Sequence, residues 1–346
     1  MTEQIKLTQY SKGSGCGCKI SPSVLKDILE CADVLPTDVR LWVGNETADD
    51  AAVMQWNGDE GLIATTDFFM PMVDDPYTFG KIAAANALSD VYAMGGSPMM
   101  ALAILGWPIE KLPASQAREV LEGARFICRL AGIPLAGGHS IESAEPIFGL
   151  AVNGRVTKKN LLRNNGAQVG DVLYLTKPLG AGIISAAMKR GKLLDESHLE
   201  TCVSYMSTLN KIGENIADQV EVHALTDVTG FGLAGHLLEI CEASGLSAKI
   251  DFTSLPVYPF LDEYVAAHIY PDMTMKNYSH YASKIDQLTL PQLMVMCDPQ
   301  TSGGLLLAVP QRAASSLEQR MYEFGCGAFA RPIGVMKERG EKMLSV

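Results

Sequence analysis

The sequence predicts an α+β fold in two domains, and three observations carry that prediction. The chain has 346 residues, more than one hydrophobic core usually serves. Strand-like and helix-like segments mix in each half without the strict alternation of a doubly wound sheet. A polar stretch over 158–170 lacks apolar periodicity. We therefore expect a flexible N-terminal segment 1–45 that carries a reactive loop, a domain over 46–157 and a second domain over 158–346.

The first half predicts strands and helices from short local patterns. Ser21-Pro22 opens an amphipathic helix, and a turn over 57–61 joins two strands. An alanine-rich pattern that ends at Gly95-Gly96 predicts a helix. The expected elements are helices over 21–32, 79–94 and 115–130, and strands over 50–54, 62–66, 100–105, 133–136 and 147–156.

The second half reads less regularly. Four prolines over 253–296 predict an irregular region. The expected strands cover 172–176, 222–226, 247–252, 304–309 and 331–336, and the expected helices cover a region up to 192, then 205–217, 232–244 and 313–324.

Composition excludes several classes of function. The net charge of −11 argues against nucleic acid and anionic membranes, because both attract basic faces. No run of about 18 apolar residues is present to span a bilayer. The first residues lack a basic region followed by an apolar stretch, so we expect no secretory signal. Eight scattered cysteines are then expected to be reduced, in the cytoplasm.

The pentapeptide Gly15-Cys16-Gly17-Cys18-Lys19 is the most informative motif. Its glycines and lack of apolar side chains predict a mobile loop. Lys12 and Lys19 are expected to lower a cysteine pKa and so favour the nucleophilic thiolate. The motif predicts a reactive sulfur delivered to a site elsewhere; the alternative is a pair of incidental surface cysteines.

Several aspartates lie at the ends of predicted strands. Asp50, Asp67, Asp227 and Asp298 lie at such ends, and Asp90 lies inside an apolar helix. Carboxylates gathered at one edge would repel unless divalent cations lay between them, and hard cations prefer oxygen ligands. Singly, each strand-end aspartate also fits a turn or helix cap.

Two glycine motifs bear on phosphate binding. Gly137-Gly138-His139-Ser140 follows a predicted strand, and its successive amides could cradle a phosphate oxygen; His139 alone more often serves structure. The segment 230–235 matches GxGxxG, but Asp227 enters the same turn and would oppose a pyrophosphate. No P-loop pattern occurs. We therefore expect no Rossmann or P-loop site.

These motifs occur in one order: GCGCK, NETADDAAV, TTDFF, NALSDVYAMGG, GGHS, TDVTGFGLAGH and DPQTSGGLL. In that order the chain resembles the selenophosphate synthetase (selenide, water dikinase) family of the aminoimidazole ribonucleotide synthetase-like superfamily. The resemblance runs from about residue 7 to the end. It implies synthesis of selenophosphate from selenide, ATP and water, with release of AMP and orthophosphate.

The resemblance also implies an assembly and cofactors. N-terminal domains of two subunits would pair into a β-barrel in a homodimer, with ATP at the interface. Mg²⁺ would be required and K⁺ would be a further cation. A selenium-delivery protein would be an additional partner.

Site residues carry over position by position. Cys16 would be the nucleophilic or selenium-carrying residue and Lys19 would contact the phosphates. The remaining residues would line the ATP site (Thr47, Ala48, Asp49, Asp67, Asp90, Gly138, His139 and Ser140) or hold magnesium (Asp50, Asp90 and Asp227).

Two rival functions stay open at this point. One is another ATP-dependent small-molecule kinase or ligase of the superfamily. The other is a non-catalytic metal or redox carrier that uses Cys16 and Cys18 as ligands.

Overall fold

The structure, a computed structural model, describes residues 5–20, 24–25, 28, 38–44 and 48–346. Its strands form two mixed sheets of six strands each, which confirms the α+β prediction. Strands of the first sheet fall within 41–157, and strands of the second fall within 172–345. The predicted helix over 21–32 lies largely outside the described residues.

The first half builds one sheet with helices packed on one face. In chain order its elements are β1 Leu41–Val43, β2 Ala52–Asn57, β3 Glu60–Phe69, α1 Pro76–Ala93, β4 Ser97–Trp107, α2 Ala114–Ala131, β5 Leu135–Glu142 and β6 Ile147–Thr157. The strand order is β1-β2-β3-β6-β4-β5, and β5 runs parallel to β4 at one edge. Helix α1 lies against β3 and β6.

Helix α1 is enclosed on nearly all sides. The Asp75 carboxylate caps it by accepting from Thr78 N at 2.7 Å, which satisfies one of the free amides of the first turn. Glycines allow α2 to approach closely, because a Cβ at Gly80 would lie 1.9 Å from Val120 O. Small residues thus allow close packing around α1. This buried helix places polar side chains at the centre of the molecule.

The second half contains shorter elements. They are β7 Val172–Leu175, α3 Ala181–Lys189, α4 Glu196–Met206, α5 Ile212–Gln219, β8 Ala224–Asp227, α6 Gly232–Ser244, β9 Ser247–Ile250, α7 Leu261–Ala266, α8 Asp272–Tyr281, α9 Leu290–Met296, β10 Leu305–Val309, α10 Ala314–Glu323, β11 Gly334–Lys337 and β12 Leu344–Ser345. The strand order is β12-β9-β11-β7-β10-β8.

Two predictions for this half are wrong. The region 253–296 is not irregular, since it holds α7, α8 and α9. Two of its four prolines stand at helix starts: Pro271 precedes α8, and Pro291 lies in the first turn of α9 after the Thr289 cap, where a missing amide hydrogen costs nothing. The single helix expected over 205–217 is divided into α4 and α5.

Helix α1 also contacts the second half. Ser89 Oγ accepts from Asn210 Nδ2 at 2.8 Å. At the start of α5, a Cβ on Gly213 would lie 2.2 Å from Tyr92 O. Ser97 Oγ, just beyond α1, donates to Glu214 Oε1 at 2.6 Å. The helix therefore forms part of the contact between the two sheets' domains, and its polar residues face that junction.

In the part of the chain that the structure describes, no helix is both long and apolar enough to cross a membrane.

Candidate functional site

The glycine-rich loop is packed into the junction. Cys16–Cys18 form one 3₁₀ turn, and Gly15 before it has φ +51°, a conformation that favours glycine. Gly15 N donates to Met70 O at 3.0 Å. Cys16 has no exposed area and belongs to the hydrophobic core. The prediction of a mobile loop without packing partners is therefore wrong for this docked arrangement.

Cys16 is held by one residue from each half. Its N–H donates to Thr301 Oγ1 at 3.1 Å. Its Sγ lies 3.4 Å from Asn86 Oδ1 and donates to it. Asn86 is oriented by Asp67, whose Oδ2 accepts from Asn86 Nδ2 at 2.5 Å. A chain of contacts thus runs from Asp67 through Asn86 to the sulfur.

The surroundings of Cys16 favour the thiol. Burial raises its pKa well above the usual value, and the Asp67 charge raises it further. The Lys19 charge lowers this pKa, but less than burial raises it. The expectation that Lys12 and Lys19 produce a thiolate is wrong here, because docking removes the sulfur from water. Asn86 Oδ1, an acceptor, also favours the protonated sulfur.

The DPQTSGG segment at 298–304 supports this arrangement. Ser302 has φ +50°, a strained value for a residue with a side chain. Its N–H donates to Asn86 Oδ1 at 2.7 Å, and its carbonyl accepts from Lys177 Nζ at 2.9 Å. Burial lowers the pKa of Lys177 to about 7. These contacts hold the strained turn that presents Thr301 to the loop.

Lys19 lies in the field of several carboxylates. Its Nζ is 3.9 Å from Asp67 Oδ2 and 5.9 Å from the Phe231 ring centroid. Asp67 raises the pKa of Lys19 most, and the charges of Asp90 and Asp227 raise it further, against the effect of burial. The side chain is 34% exposed. Lys19 is thus a charged ammonium at the mouth of an acidic site.

Three carboxylates, two of them buried and that of Asp50 half-buried, face the junction from different elements. Asp90 lies on α1, Asp227 ends β8, and Asp50 precedes β2. Burial raises the pKa of each, and the Asp227 charge is the next largest cause for Asp50 and Asp90. The charge of another acid therefore raises the pKa of each of these three acids.

Hydroxyl groups orient two of these acids. Thr65 Oγ1 donates to Asp90 Oδ2 at 2.5 Å, and Thr226 Oγ1 donates to Asp50 Oδ1 at 2.9 Å. A hydrogen bond from the Ser89 side chain opposes the rise in the pKa of Asp227 that burial causes.

The donor set fits a hard cation. Asp50 Oδ2 and Asp227 Oδ2 are buried without a hydrogen-bond partner. Across the described ranges, no three acidic, histidine or cysteine side chains already enclose a metal position. Mg²⁺ commonly takes one or two carboxylates and completes its shell with phosphate and water. The residues present are therefore suited to an ion that arrives with a phosphate group.

Other expected ATP-site residues lie differently. Asp49 Oδ1 accepts from Asn164 N, and Ala48 O accepts from Asn164 Nδ2, both at 2.7 Å. These two residues thus tie the start of the first domain to the segment between the sheets. Thr47 lies outside the described residues.

Gly138, His139 and Ser140 lie inside strand β5. The expectation that successive amides of this segment cradle a phosphate oxygen is wrong, because strand amides point alternately to opposite sides and β5 pairs with β4. All three residues are exposed at the sheet edge.

Neither Asp298 nor the GxGxxG motif belongs to the acidic site. Asp298 Oδ2 accepts from Gly182 N at 3.0 Å and from Gln300 Nε2 at 2.8 Å. The motif follows β8, which pairs antiparallel with β10, so a Rossmann unit is absent there. Instead, a Cβ on Gly230 would lie 2.8 Å from Cys16 O, so this glycine gives the loop room to dock.

The sequence reasoning missed Asn86 and Thr301 as site residues. Asn86 and Asp90 are four residues apart in an apolar helix, so they share a face. A second buried polar residue at that spacing was the available signal.

The comparisons with known proteins agree with this architecture. Residues 48–156 match the model of "AIR synthase related protein, N-terminal domain", and residues 168–346 match that of the C-terminal domain. The chain is 54% identical over 330 residues to "Selenide, water dikinase" of Colwellia psychrerythraea (strain 34H / ATCC BAA-681), which covers 95% of each chain.

Two solved structures share the fold. "AaThiL complexed with AMPPCP and TMP" superposes with a TM-score of 0.66 at 19% identity, over 93% of this chain and 91% of that one. "Hydrogenase Maturation Protein HypE in complex with ATP" gives 0.64 at 20% identity, over 85% and 82%. From its sequence relatives and domain matches, this chain belongs to the selenide, water dikinase family of AIR synthase related proteins.

Proposed function

We propose that this chain makes selenophosphate from selenide, ATP and water, and releases AMP and orthophosphate. The curated relatives bear the name of that activity. The observation that carries the proposal is the position of Cys16 and Lys19 on one short turn, with Lys19 in the field of Asp67, Asp90 and Asp227. A chalcogen carrier and a phosphate-binding cation are thereby held beside carboxylates suited to a metal.

We assign the phosphate end of ATP to Lys19 and the acidic residues. Asp50, Asp90 and Asp227 would hold Mg²⁺, and Asp67 and Asp90 would approach the nucleotide. Bound Mg²⁺ would neutralise phosphate charge, which is a main part of catalysis in phosphoryl transfer. Lys19 would supply positive charge from the loop. K⁺ as a further cation remains part of the proposal.

The rest of the nucleotide site follows from the resemblance. Thr47, Ala48 and Asp49 would line it, and Gly138, His139 and Ser140 would contact nucleotide from the exposed β5 edge. That edge location fits a nucleotide bound between two subunits.

Cys16 would act as nucleophile or selenium carrier after the loop moves. In the docked arrangement its Sγ is buried and donates to Asn86, so neither selenide nor a phosphoryl group reaches it. Movement would expose the sulfur to water and lower its pKa toward the usual range. The Cys16 thiol would therefore be protected when the loop is docked and reactive when the loop is released.

A homodimer would cover the outer face of the first sheet. That face, opposite α1, exposes large apolar side chains, an arrangement typical of an interface. They are Met54, Trp56, Phe68, Met100, Leu102 and Ile141. Pairing of two such sheets would form the β-barrel that the resemblance implies.

We also propose the domain division 1–45, 46–157 and 158–346. The separation of strands between the two sheets supports the boundary between 157 and 158, whereas β1 (Leu41–Val43) in the segment 1–45 already pairs with the first sheet. A cytoplasmic location and a selenium-delivery protein complete the proposal.

Anaerobic phosphorus NMR with ATP, Mg²⁺ and selenide tests the function. We expect selenophosphate, AMP and orthophosphate from the parent and from Cys18→Ser. Cys16→Ser is expected to bind ATP and to form no selenophosphate. ADP as the product would favour another kinase or ligase of the superfamily. Stoichiometric zinc or copper without ATP turnover would favour a metal or redox carrier.

A further inference from the structure

A lysine of the second domain binds the segment that leads to Cys16. We call this segment, residues 11–15, the arm. Lys189 is the last residue of α3, and its Nζ donates to three consecutive carbonyl oxygens. The distances are 2.7 Å to Ser11 O, 3.1 Å to Lys12 O and 2.8 Å to Gly13 O. An ammonium has three N–H donors and no acceptor, so this geometry uses its whole capacity.

The amides of the same arm are bound by the first domain. Lys12 N donates to Glu145 Oε2 at 3.0 Å, and Gly15 N donates to Met70 O at 3.0 Å. The arm is thus held by its carbonyls on one side and by its amides on the other. Loss of Lys189 would leave these three carbonyls, whose bonds to Ser11 O and Gly13 O are partly buried, without their charged donor, which weakens the docked arrangement.

Solvent reaches the Lys189 side of the arm but not Cys16. A cavity of about 530 Å³ is lined by Lys189, Cys18 and Lys276, among others. Cys16 lies buried on the other side of the turn. A substitution of Lys189 therefore changes a side chain that lines this cavity. It alters no group that contacts Cys16 Sγ.

We propose that Lys189 is a positioning residue that keeps the glycine-rich loop docked with Cys16 buried, so that Cys16 becomes reactive only when these three bonds break. The effect of loop docking on turnover rests on the proposed function. The role of Lys189 in holding the loop does not depend on that function. Lys189→Met should make Cys16 more accessible, and Lys189→Arg, which keeps a cationic donor, should restore much of the protection.

Site-resolved alkylation tests this proposal in nucleotide-free protein. Iodoacetamide labelling followed by mass spectrometry should show Cys16 reacting about tenfold faster in Lys189→Met, the scale expected when bonds to a charged donor are lost. Lys276→Met is the matched control, because it removes a charge from the same pocket; its Cys16 rate should equal that of the parent.

Two buried cysteines separate loop opening from unfolding. Cys202 and Cys241 of the second domain are buried and should stay unreactive in Lys189→Met. If these two cysteines react, Lys189→Met has unfolded, and Lys189→Gln takes its place in the same comparison. A Cys16 rate equal to the parent's in a folded Lys189 variant, or an equal increase in Lys276→Met, overturns the proposal. Because labelling needs no turnover, a chain that made no selenophosphate would still give a decisive result.

Discussion

Asp298 should be protonated in the folded protein at neutral pH. Burial raises its pKa from 3.8 to about 8. One carboxyl oxygen accepts from Gly182 N and Gln300 Nε2, and Oδ1 has no partner. A proton on Oδ1 gives the group the shape of an asparagine amide, with a donor at one end and an acceptor at Oδ2. Asp298→Asn should therefore keep the DPQTSGG turn intact.

The sign and size of the effect follow from proton linkage. Because the folded pKa is raised, the native state keeps a proton that the unfolded chain releases, and stability falls as pH rises from about 4 to about 8. Each pH unit inside that window costs about 1.4 kcal/mol. Between pH 6 and pH 8 the parent should lose about 2–3 kcal/mol more stability than Asp298→Asn.

Urea unfolding followed by circular dichroism, without nucleotide or metal, measures this difference. Other buried acids titrate in both proteins, so the comparison isolates Asp298. Asp286→Asn, at an exposed position, should follow the parent at both pH values. An Asp298→Asn protein whose deficit against the parent is the same at pH 6 and pH 8 would show that Asp298 is ionised in the fold and refute this reasoning.

Three further predictions concern the site and the outer sheet face. Asp227→Asn should weaken Mg²⁺-dependent ATP binding about tenfold or more by calorimetry, with Asp286→Asn unaffected; an unchanged magnesium titration would remove Asp227 from the metal set. Thr301→Val removes the acceptor of Cys16 N and should cost about 1 kcal/mol of loop docking, seen as faster Cys16 alkylation; an unchanged rate would mean that this bond does not hold the loop. Trp56→Glu, at a residue 70% exposed on the outer face, should convert a dimer to monomers in sedimentation velocity, whereas Tyr322→Glu in the second domain should not; a persistent dimer would place the interface elsewhere.

The sequence predicts the acidic part of the site well for a simple reason. Asp227 ends a strand and Asp90 interrupts an apolar helix, so local pattern alone marks both. Their convergence follows from the packing of α1 between the first sheet and the second domain.

Contacts between distant segments could not be predicted in this way. Asn86 and Cys16 are 70 positions apart, and no local pattern pairs them. The raised pKa of Cys16 depends on that docking. The neighbouring lysines alone therefore predict a shift of this pKa in the wrong direction. The pair of glycines in the GGHS segment predicts a phosphate cradle after a strand, whereas pairing with β4 continues the strand through the segment.

The position of Lys19 links the occupancy of the acidic site to the state of the loop. Its ammonium pairs with Asp67, and the charges of Asp90 and Asp227 raise its pKa further. Under the proposed function, a metal ion that entered among these carboxylates would compete with a charge attached to the same turn as Cys16. Loading of the site would then be an ion exchange, in which the incoming cation weakens the attraction that draws the sulfur-bearing turn inward.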